Sequence, residues 1–321
     1  MSPLQHFLRQ RSGRSVVVRE KILACCGWMP ESVRASGRRW LLQWPLRHMR
    51  SIPAGIELIP LENGAWRVMS GKSHVADSVG LSEWIGGIDG PLSIVATGPS
   101  ARDYPWDQIQ SGERRILGVN GAPSFLKEVG VKADSWVISD HTFLPTAARH
   151  FANAGGVPLA LTIPAAAWLA RNAPSELAGR RVTLLERVNQ WHRIPSLPNT
   201  ELLKLNRSSG NPFVFPEGED TKSKVGWSHF PDLGIFSGCT VVFAALQIAV
   251  GLGAKDIEII GMDLSDMGRV YDEGDAPQPS GLSEQYDRYI LPAFELMRDA
   301  LEGSDVRIRN VSKVCRLPPL F

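Results

Sequence analysis

From residue 91 onward the chain alternates short apolar runs with helix-patterned segments, and this alternation constrains the fold more than any other feature. "LSIVAT" (92–97) reads as a buried strand ended by Gly98 and Pro99. "RRILGVNG" (114–121) is the next strand, "SFLKEVGV" (124–131) a short helix and "ADSWVISD" (133–140) a third strand. A helix at "TAARHFANAG" (146–155) leads to the strands "VPLALTIP" (157–164) and "RRVTLLE" (180–186). Later, "FSGCTVVFAALQIAVGLGAKDIEIIGMDLSD" (236–266) reads as a buried helix feeding a buried strand. An amphipathic helix at 284–303 and a last strand, "VRIRNVS" (306–312), follow. Strands alternating with helices predict an α/β fold: a mostly parallel, Rossmann-like sheet flanked by helices. In such sheets ligands sit beyond the carboxyl ends of the strands, near a topological switch point.

The rest of the chain divides around that block. Residues 1–90 read as a basic, Trp-rich N-terminal extension and 91–321 as the catalytic domain. Net charge is only +2, but the first 50 residues carry ten Lys and Arg against Glu20 and Glu31, a local charge of +8. That asymmetry suits a polyanionic neighbour such as a membrane surface, lipopolysaccharide or nucleic acid. A solvated basic face is an equal alternative. Trp28, Trp40 and Trp44 among the arginines fit an interfacial segment or, equally, a helix docked on the main domain. Residues 51–90 read as β-rich or irregular, with "ENG" (62–64) as a hairpin turn. Residues 189–235 lack periodicity and read as a lid or acceptor loop. Cys25, Cys26, Cys239 and Cys315 have no zinc-site or disulfide-framework spacing. With no secretory signal and no run of about 20 apolar residues, a cytoplasmic protein that touches but does not cross a membrane is expected. Nucleic-acid binding is the weakest partner class, since no recognised module is present.

The strand ends supply the candidate site. In order they read Thr97-Gly98-Pro99-Ser100, Asn120-Gly121, Ser139-Asp140 and Gly261-Met262-Asp263, while Ser237-Gly238 precedes the long helix. Each has a structural explanation as a turn or, for Ser237, as the cap of a helix starting near Cys239. Together they converge on one sheet edge. Glycines there admit backbone amides to a phosphate, and Asn and Asp suit a ribose or base edge. A nucleotide or sugar nucleotide is the expected occupant. The P-loop, the dinucleotide fingerprint and the G-x-S-x-G elbow are all missing. Asp263 and Asp266 make only a weak metal clamp, so no metal and no cofactor are expected.

The stretch Asp232 to Met297, with "SGC", "FAALQIA", "GMDL", "YDE" and "ILPAFELM", strongly resembles bacterial lipopolysaccharide-core transferases that add a third, side-branch 3-deoxy-manno-octulosonic acid (Kdo). "ATGPSA", "GVNGAP" and "VISDHTFL" fall upstream in the order that family shows, so the resemblance spans roughly residues 91–315. A more distant likeness reaches the CMP-sialic acid transferases of Campylobacter type. By it, Gly98, Pro99, Ser100, Asn120, Ser237 and Gly238 would line a CMP pocket, and Tyr271 would assist departure of the CMP phosphate. Asp140 and Thr97 stand where those enzymes carry Asn, and Leu282 stands where they carry a catalytic His. The base must then be another residue: Asp140, Asp263, Asp272, Glu273, His141 and His229 are chemically suitable, with Asp263 and Glu273 ranked first. Asp263 is equally a loop-orienting residue. The resemblance implies an inverting, metal-independent glycosyltransferase that uses CMP-Kdo or a related ulosonic acid on a lipopolysaccharide inner-core acceptor, peripheral to the inner membrane. The alternatives are a sialyltransferase, a pterin-pyrophosphokinase-like nucleotide enzyme, or a degenerate binding protein on the same scaffold.

Overall fold

The computed structural model describes residues 4, 42, 45–109, 112–217, 224–266, 268–273, 280–312 and 315–318. Trp28, Trp40, Trp44 and most of the N-terminal arginines lie outside the described residues. Arg47–Ser51 forms a short 3₁₀ turn. Leu46, Met49 and Ile52 are buried, and Pro45 O accepts a 2.9 Å hydrogen bond from Ser196 N. A meander follows: β1 (Ile56–Pro60), β2 (Trp66–Ser70) and β3 (Ser73–Asp77), all antiparallel. The turn at "ENG" forms because Asn63 and Gly64 both accept positive φ, +56° and +74°.

After α1 (Leu81–Trp84), the α/β block is laid down as β4 (Leu92–Val95), β5 (Arg115–Val119), α2 (Ala122–Glu128), β6 (Ser135–Ile138), α3 (Ala148–Ala154), β7 (Leu159–Thr162), α4 (Ile163–Asn172) and β8 (Val182–Leu185). Next come α5 (Asn199–Ser208), β9 (Phe213–Val214), β10 (Trp227–Ser228), α6 (Val241–Gly251) and β11 (Asp256–Ile260). The last elements are α7 (Leu282–Gln285), α8 (Leu291–Leu301) and β12 (Arg307–Asn310). Seven strands form one sheet in the order β12-β11-β4-β5-β6-β7-β8, every neighbouring pair parallel. All four residues of β4, β6, β7 and β8 are buried, as a sheet covered on both faces requires. In β5, Leu117 and Val119 join the core that contains α6 and α8, while Ile116 joins the core of α2, α3 and α4. The meander packs on α4 within that second core, and Val79 N bonds Val182 O at 2.8 Å beside the edge strand β8.

Three sequence expectations are corrected. The described part of 189–235 is not an open loop: it holds α5, the β9–β10 pair and buried Trp191, Phe213 and Trp227. Its order comes from packing among aromatics rather than from periodicity. Phe213, Phe215 and Phe236 meet edge-on, and Trp191 Nε1 donates to Leu233 O at 2.7 Å. The long helix starts at Val241 and is capped by Thr240, not Ser237, since Gly238 and Cys239 adopt φ of +49° and +56° and cannot continue it. The helix expected across 284–303 is interrupted by a π turn, Tyr286–Ile290. Pro292 has no N–H to give to the preceding turn, and the wider turn absorbs that defect.

Candidate functional site

The chain runs outward from β4 through β5 to β8, then returns to place β11 on β4's other side. The carboxyl ends of β4 and β11 therefore form the switch point where a ligand crevice is expected. They are joined closely. Ala96 N donates to Ile260 O and Gly98 N to Gly261 O, each at 2.8 Å. A Cβ on Gly98 would lie 2.6 Å from both Gly261 O and Asp263 Oδ2, so only glycine fits there without displacement. A cavity of about 490 Å³ opens at this point. Of the residues expected from the sequence, Thr97, Gly98, Asn120, Asp140, Ser237, Asp263, Tyr271 and Glu273 line it, and so does Leu282.

The polar side chains are held by different partners. Asn120 takes φ +45°, and its backbone is fixed at both ends: N to Val137 O at 3.1 Å, and O to Trp136 Nε1 at 2.8 Å. Its Oδ1 is buried and has no hydrogen-bond partner among the described residues, which makes it a free acceptor in the cavity wall. Asp140 accepts from Thr142 N (2.9 Å) and Thr142 Oγ1 (2.7 Å) and caps its own turn. Asp263 is 3% exposed, and both of its oxygens are taken by Ser100: Oδ2 by the backbone N–H at 2.9 Å, Oδ1 by the hydroxyl. Glu273 is held more loosely, its nearest ion-pair partner Arg269 standing 3.9 Å away.

Tyr271 packs against Gly121, Arg149 and His150. Val270 N donates to Thr97 O at 2.8 Å, tying the Tyr271 segment to the end of β4. The ring lies on Gly121, where an added Cβ would sit 2.2 Å from it. The Arg149 guanidinium stands 4.8 Å from the ring centroid, and the His150 ring packs at 4.8 Å. Burial pushes the Tyr271 hydroxyl above its ordinary value, against the pull of Arg269, so the phenol stays protonated and able to donate.

Four expected residues are not brought to the cavity wall. Pro99 and Ser100 turn away, and Ser100 lines a second cavity beside Glu258 and Arg114. Gly121 lies beneath Tyr271, and Gly238 packs on Phe243, its would-be Cβ 2.5 Å from that ring. Asp272, His141 and His229 also stand outside the lining. Conversely, the cavity gathers Arg149, His150, Arg187, Lys224, Cys239 and Arg269, none of which was anticipated. Arg187 stands two residues past the end of β8, so the strand-end rule extended over that strand's first turn would have found it. It donates to Ser139 O at 3.1 Å; burial lowers its pKa while Asp140 opposes that shift. Arg149 and His150 sit on α3, where only the tertiary packing shows which face meets the cavity. Among the described residues no group of three or more His, Cys, Asp or Glu is placed to hold a metal ion.

No protein-family model matches the chain. Over 89 residues the sequence is 40% identical to the probable 3-deoxy-manno-octulosonic acid transferase of Escherichia coli (strain K12). This chain resembles a Kdo transferase there. The match covers 27% of this chain and 30% of that protein, so the chain spans less than a third of that relative's length in the alignment. Two solved structures are distant likenesses. The MAf glycosyltransferase of Magnetospirillum magneticum AMB-1 shares 14% identity over 72% of this chain and 33% of that one, with a TM-score of 0.42. The sialyltransferase CST-II, solved with a trisaccharide acceptor and CMP, shares 10% identity over 72% of this chain and 87% of its own, with a TM-score of 0.36.

Proposed function

We propose that this protein is a glycosyltransferase that moves Kdo or a related ulosonic acid from a CMP-activated donor to a lipopolysaccharide inner-core acceptor. The observation that carries the reading is the cavity at the β4–β11 switch point, where a free Asn120 acceptor, a protonated Tyr271 and the cations Arg149, Arg187, Lys224 and Arg269 face one space. The partial similarity to a probable Kdo transferase supports the same donor sugar. A CMP-ulosonate presents a base with an exocyclic amine, a phosphodiester and a carboxylate. Asn120 suits the amine, and Arg149, Arg187 and Arg269 suit the two negative charges. A volume of about 490 Å³ lies within the range of small-ligand sites.

In the proposed mechanism the acceptor hydroxyl oxygen bonds to the anomeric carbon as the bond from that carbon to the phosphate oxygen breaks, with inversion. The electron pair leaves with CMP, whose phosphate takes a hydrogen bond from Tyr271 and charge compensation from Arg149 and Arg269. The hydroxyl proton goes to Glu273. Of the two first-ranked carboxylates, Glu273 is the one whose oxygens are not already engaged by Ser100. Asp263 is then the residue that orients the loop. No helix among the described residues is long and apolar enough to cross a membrane. The basic first 50 residues would hold the enzyme on the anionic cytoplasmic face of the inner membrane, each Lys or Arg contributing about 1 kcal/mol.

The test is incubation with CMP-Kdo and a deep-core lipid acceptor, read as a Kdo mass increment. CMP and ATP are titrated in parallel in a thermal-shift assay. Absence of both turnover and CMP binding would sink the reading, and stabilisation by ATP with Mg²⁺ alone would redirect it to a pyrophosphokinase-like enzyme.

A further inference from the structure

A chain of side chains that runs from the exposed Lys127 inward to the buried His150 has no part in the mechanism above. Lys127 Nζ donates to Asn153 Oδ1 at 3.1 Å, which turns the Asn153 amide so that Nδ2 donates to Ser124 Oγ at 2.8 Å. Ser124 Oγ lies 2.7 Å from His150 Nδ1. Ser124 already accepts from Asn153, and His150 Nδ1 is the one partner for its own proton among the described residues, so the arrangement that uses every donor has the hydroxyl donating to Nδ1. The imidazole proton is thereby placed on Nε2. The ring is 1% exposed and clamped on both sides, stacked on Phe143 at 5.4 Å and packed against Tyr271 at 4.8 Å. It nonetheless lines the cavity, and Nε2 has no hydrogen-bond partner among the described residues. Burial, aided by the Arg149 charge, lowers the His150 pKa to about 4, so the ring is neutral at physiological pH.

We propose that His150 is a ligand-contacting residue that donates a hydrogen bond from Nε2 to a phosphate oxygen of the bound nucleotide, next to Tyr271, with its tautomer set by Ser124 and Asn153. This rests on the nucleotide reading above. A donor that cannot become an acceptor distinguishes a phosphate oxygen from an amine or a cation. Arg149, the neighbouring residue over the Tyr271 face, brings positive charge to the same spot. A histidine kept only for packing would have no need of a three-residue relay to fix its tautomer.

The experiment combines calorimetric titration of CMP with histidine ¹⁵N NMR on the full chain. Long-range ¹H–¹⁵N spectra of the ligand-free protein at pH 7 are expected to show His150 neutral with the proton on Nε2, and Ser124→Ala is expected to mix the tautomers. His150→Phe is expected to weaken CMP by roughly ten- to a hundredfold, while His150→Gln, whose amide reaches the Nε2 position, keeps it within about threefold of wild type. Cytidine, which lacks the phosphate, is expected to bind the wild type and His150→Phe alike. If the wild type binds CMP and His150→Phe binds it equally, or if the proton sits on Nδ1, the inference is overturned while the nucleotide reading stands. If the wild type binds no CMP, the nucleotide reading itself falls, and the phosphate contact with it.

Discussion

Replacing Gly121 with alanine separates the position of Tyr271 from the stability of the fold. Gly121 has φ −77° and ψ 0°, values alanine adopts freely, so the backbone has no reason to resist. The new methyl would lie 2.2 Å from Tyr271 Cε1 and 2.4 Å from its hydroxyl. Ordinary contact begins near 3.4 Å, so the ring must give way by about 1.2 Å. It has little freedom to do so sideways, because His150 and the Arg149 guanidinium each lie 4.8 Å from its centroid. A displacement of about 1 Å of a group that meets the leaving phosphate costs on the order of 10²-fold in rate. Strain in the packing costs about 1–3 kcal/mol. The matched control is Gly156→Ala: its φ is not positive, the added Cβ meets nothing within 4 Å, and stability stays level or rises by about 0.4–1 kcal/mol. Transfer rate with CMP-Kdo and melting temperature are measured for both. A folded Gly121→Ala protein that turns over within twofold of wild type would refute the role given to Tyr271.

Gly98→Ala presents a different obstacle, since one of the two atoms its Cβ meets at 2.6 Å is the Gly261 carbonyl, which is backbone and cannot rotate aside. It is expected to cost stability, by about 1–3 kcal/mol in chemical denaturation, as well as activity. Glu273→Gln is expected to lower kcat by about 10²–10⁴-fold with CMP affinity nearly unchanged, whereas Asp263→Asn should show up mainly as lost stability; the reverse pattern would move the base to Asp263. Glu186 supplies a pH test. Burial raises its pKa to about 7, against the hydrogen bond from His192 N at 2.5 Å. The folded protein therefore retains a proton that the unfolded chain loses near pH 4.5, and stability falls as pH rises from there through 7. Glu186→Gln keeps the acceptor and removes the penalty. Its melting temperature should equal wild type near pH 4.5 and exceed it at pH 8, by an amount on the order of 1–3 kcal/mol in stability. A constant difference across that range would rule out this carboxyl as the cause.

The sheet was legible because burial on both faces leaves continuous apolar runs, and the strand-end rule then pointed at Thr97, Gly98, Asn120, Asp140 and Asp263 without tertiary information, whereas Tyr271 was reached only through the resemblance. What that rule cannot say is which way a side chain turns after the strand stops. Ser100 and Asp263 were both expected at the ligand, but they bond each other, and Ser100 faces a second cavity. Gly121 was read as a place for a phosphate to approach, whereas the group that occupies its missing side chain is a ring 150 positions later. Arg149 and His150 carried no local signal because their helix, α3, meets the cavity along a face that its short pattern does not specify. The order in 189–235 was hidden for a similar reason. Trp191, Phe213 and Trp227 sit on turns and two-residue strands, so they pack in space with no period along the chain.

The same contacts divide the site into a fixed part and an adjustable part. Gly98 to Gly261, Ser100 to Asp263 and Val270 to Thr97 weld the end of β4 to everything that follows β11, so Tyr271 is placed by strand β4 as much as by its own segment. Gln247, buried within α6, accepts from Phe236 N at 2.9 Å and donates to Phe236 O at 2.8 Å, which fixes the chain just before Ser237. The groups that would meet a nucleotide therefore stand on backbone locked by hydrogen bonds, where little ordering remains to oppose binding. Lys224, by contrast, is an exposed long side chain on the cavity lining, its ammonium resting 5.0 Å from the Tyr289 ring centroid. Recognition of a constant donor suits the first arrangement and accommodation of a large, variable acceptor suits the second. Substitutions at Lys224 should then alter acceptor KM while leaving CMP affinity in place.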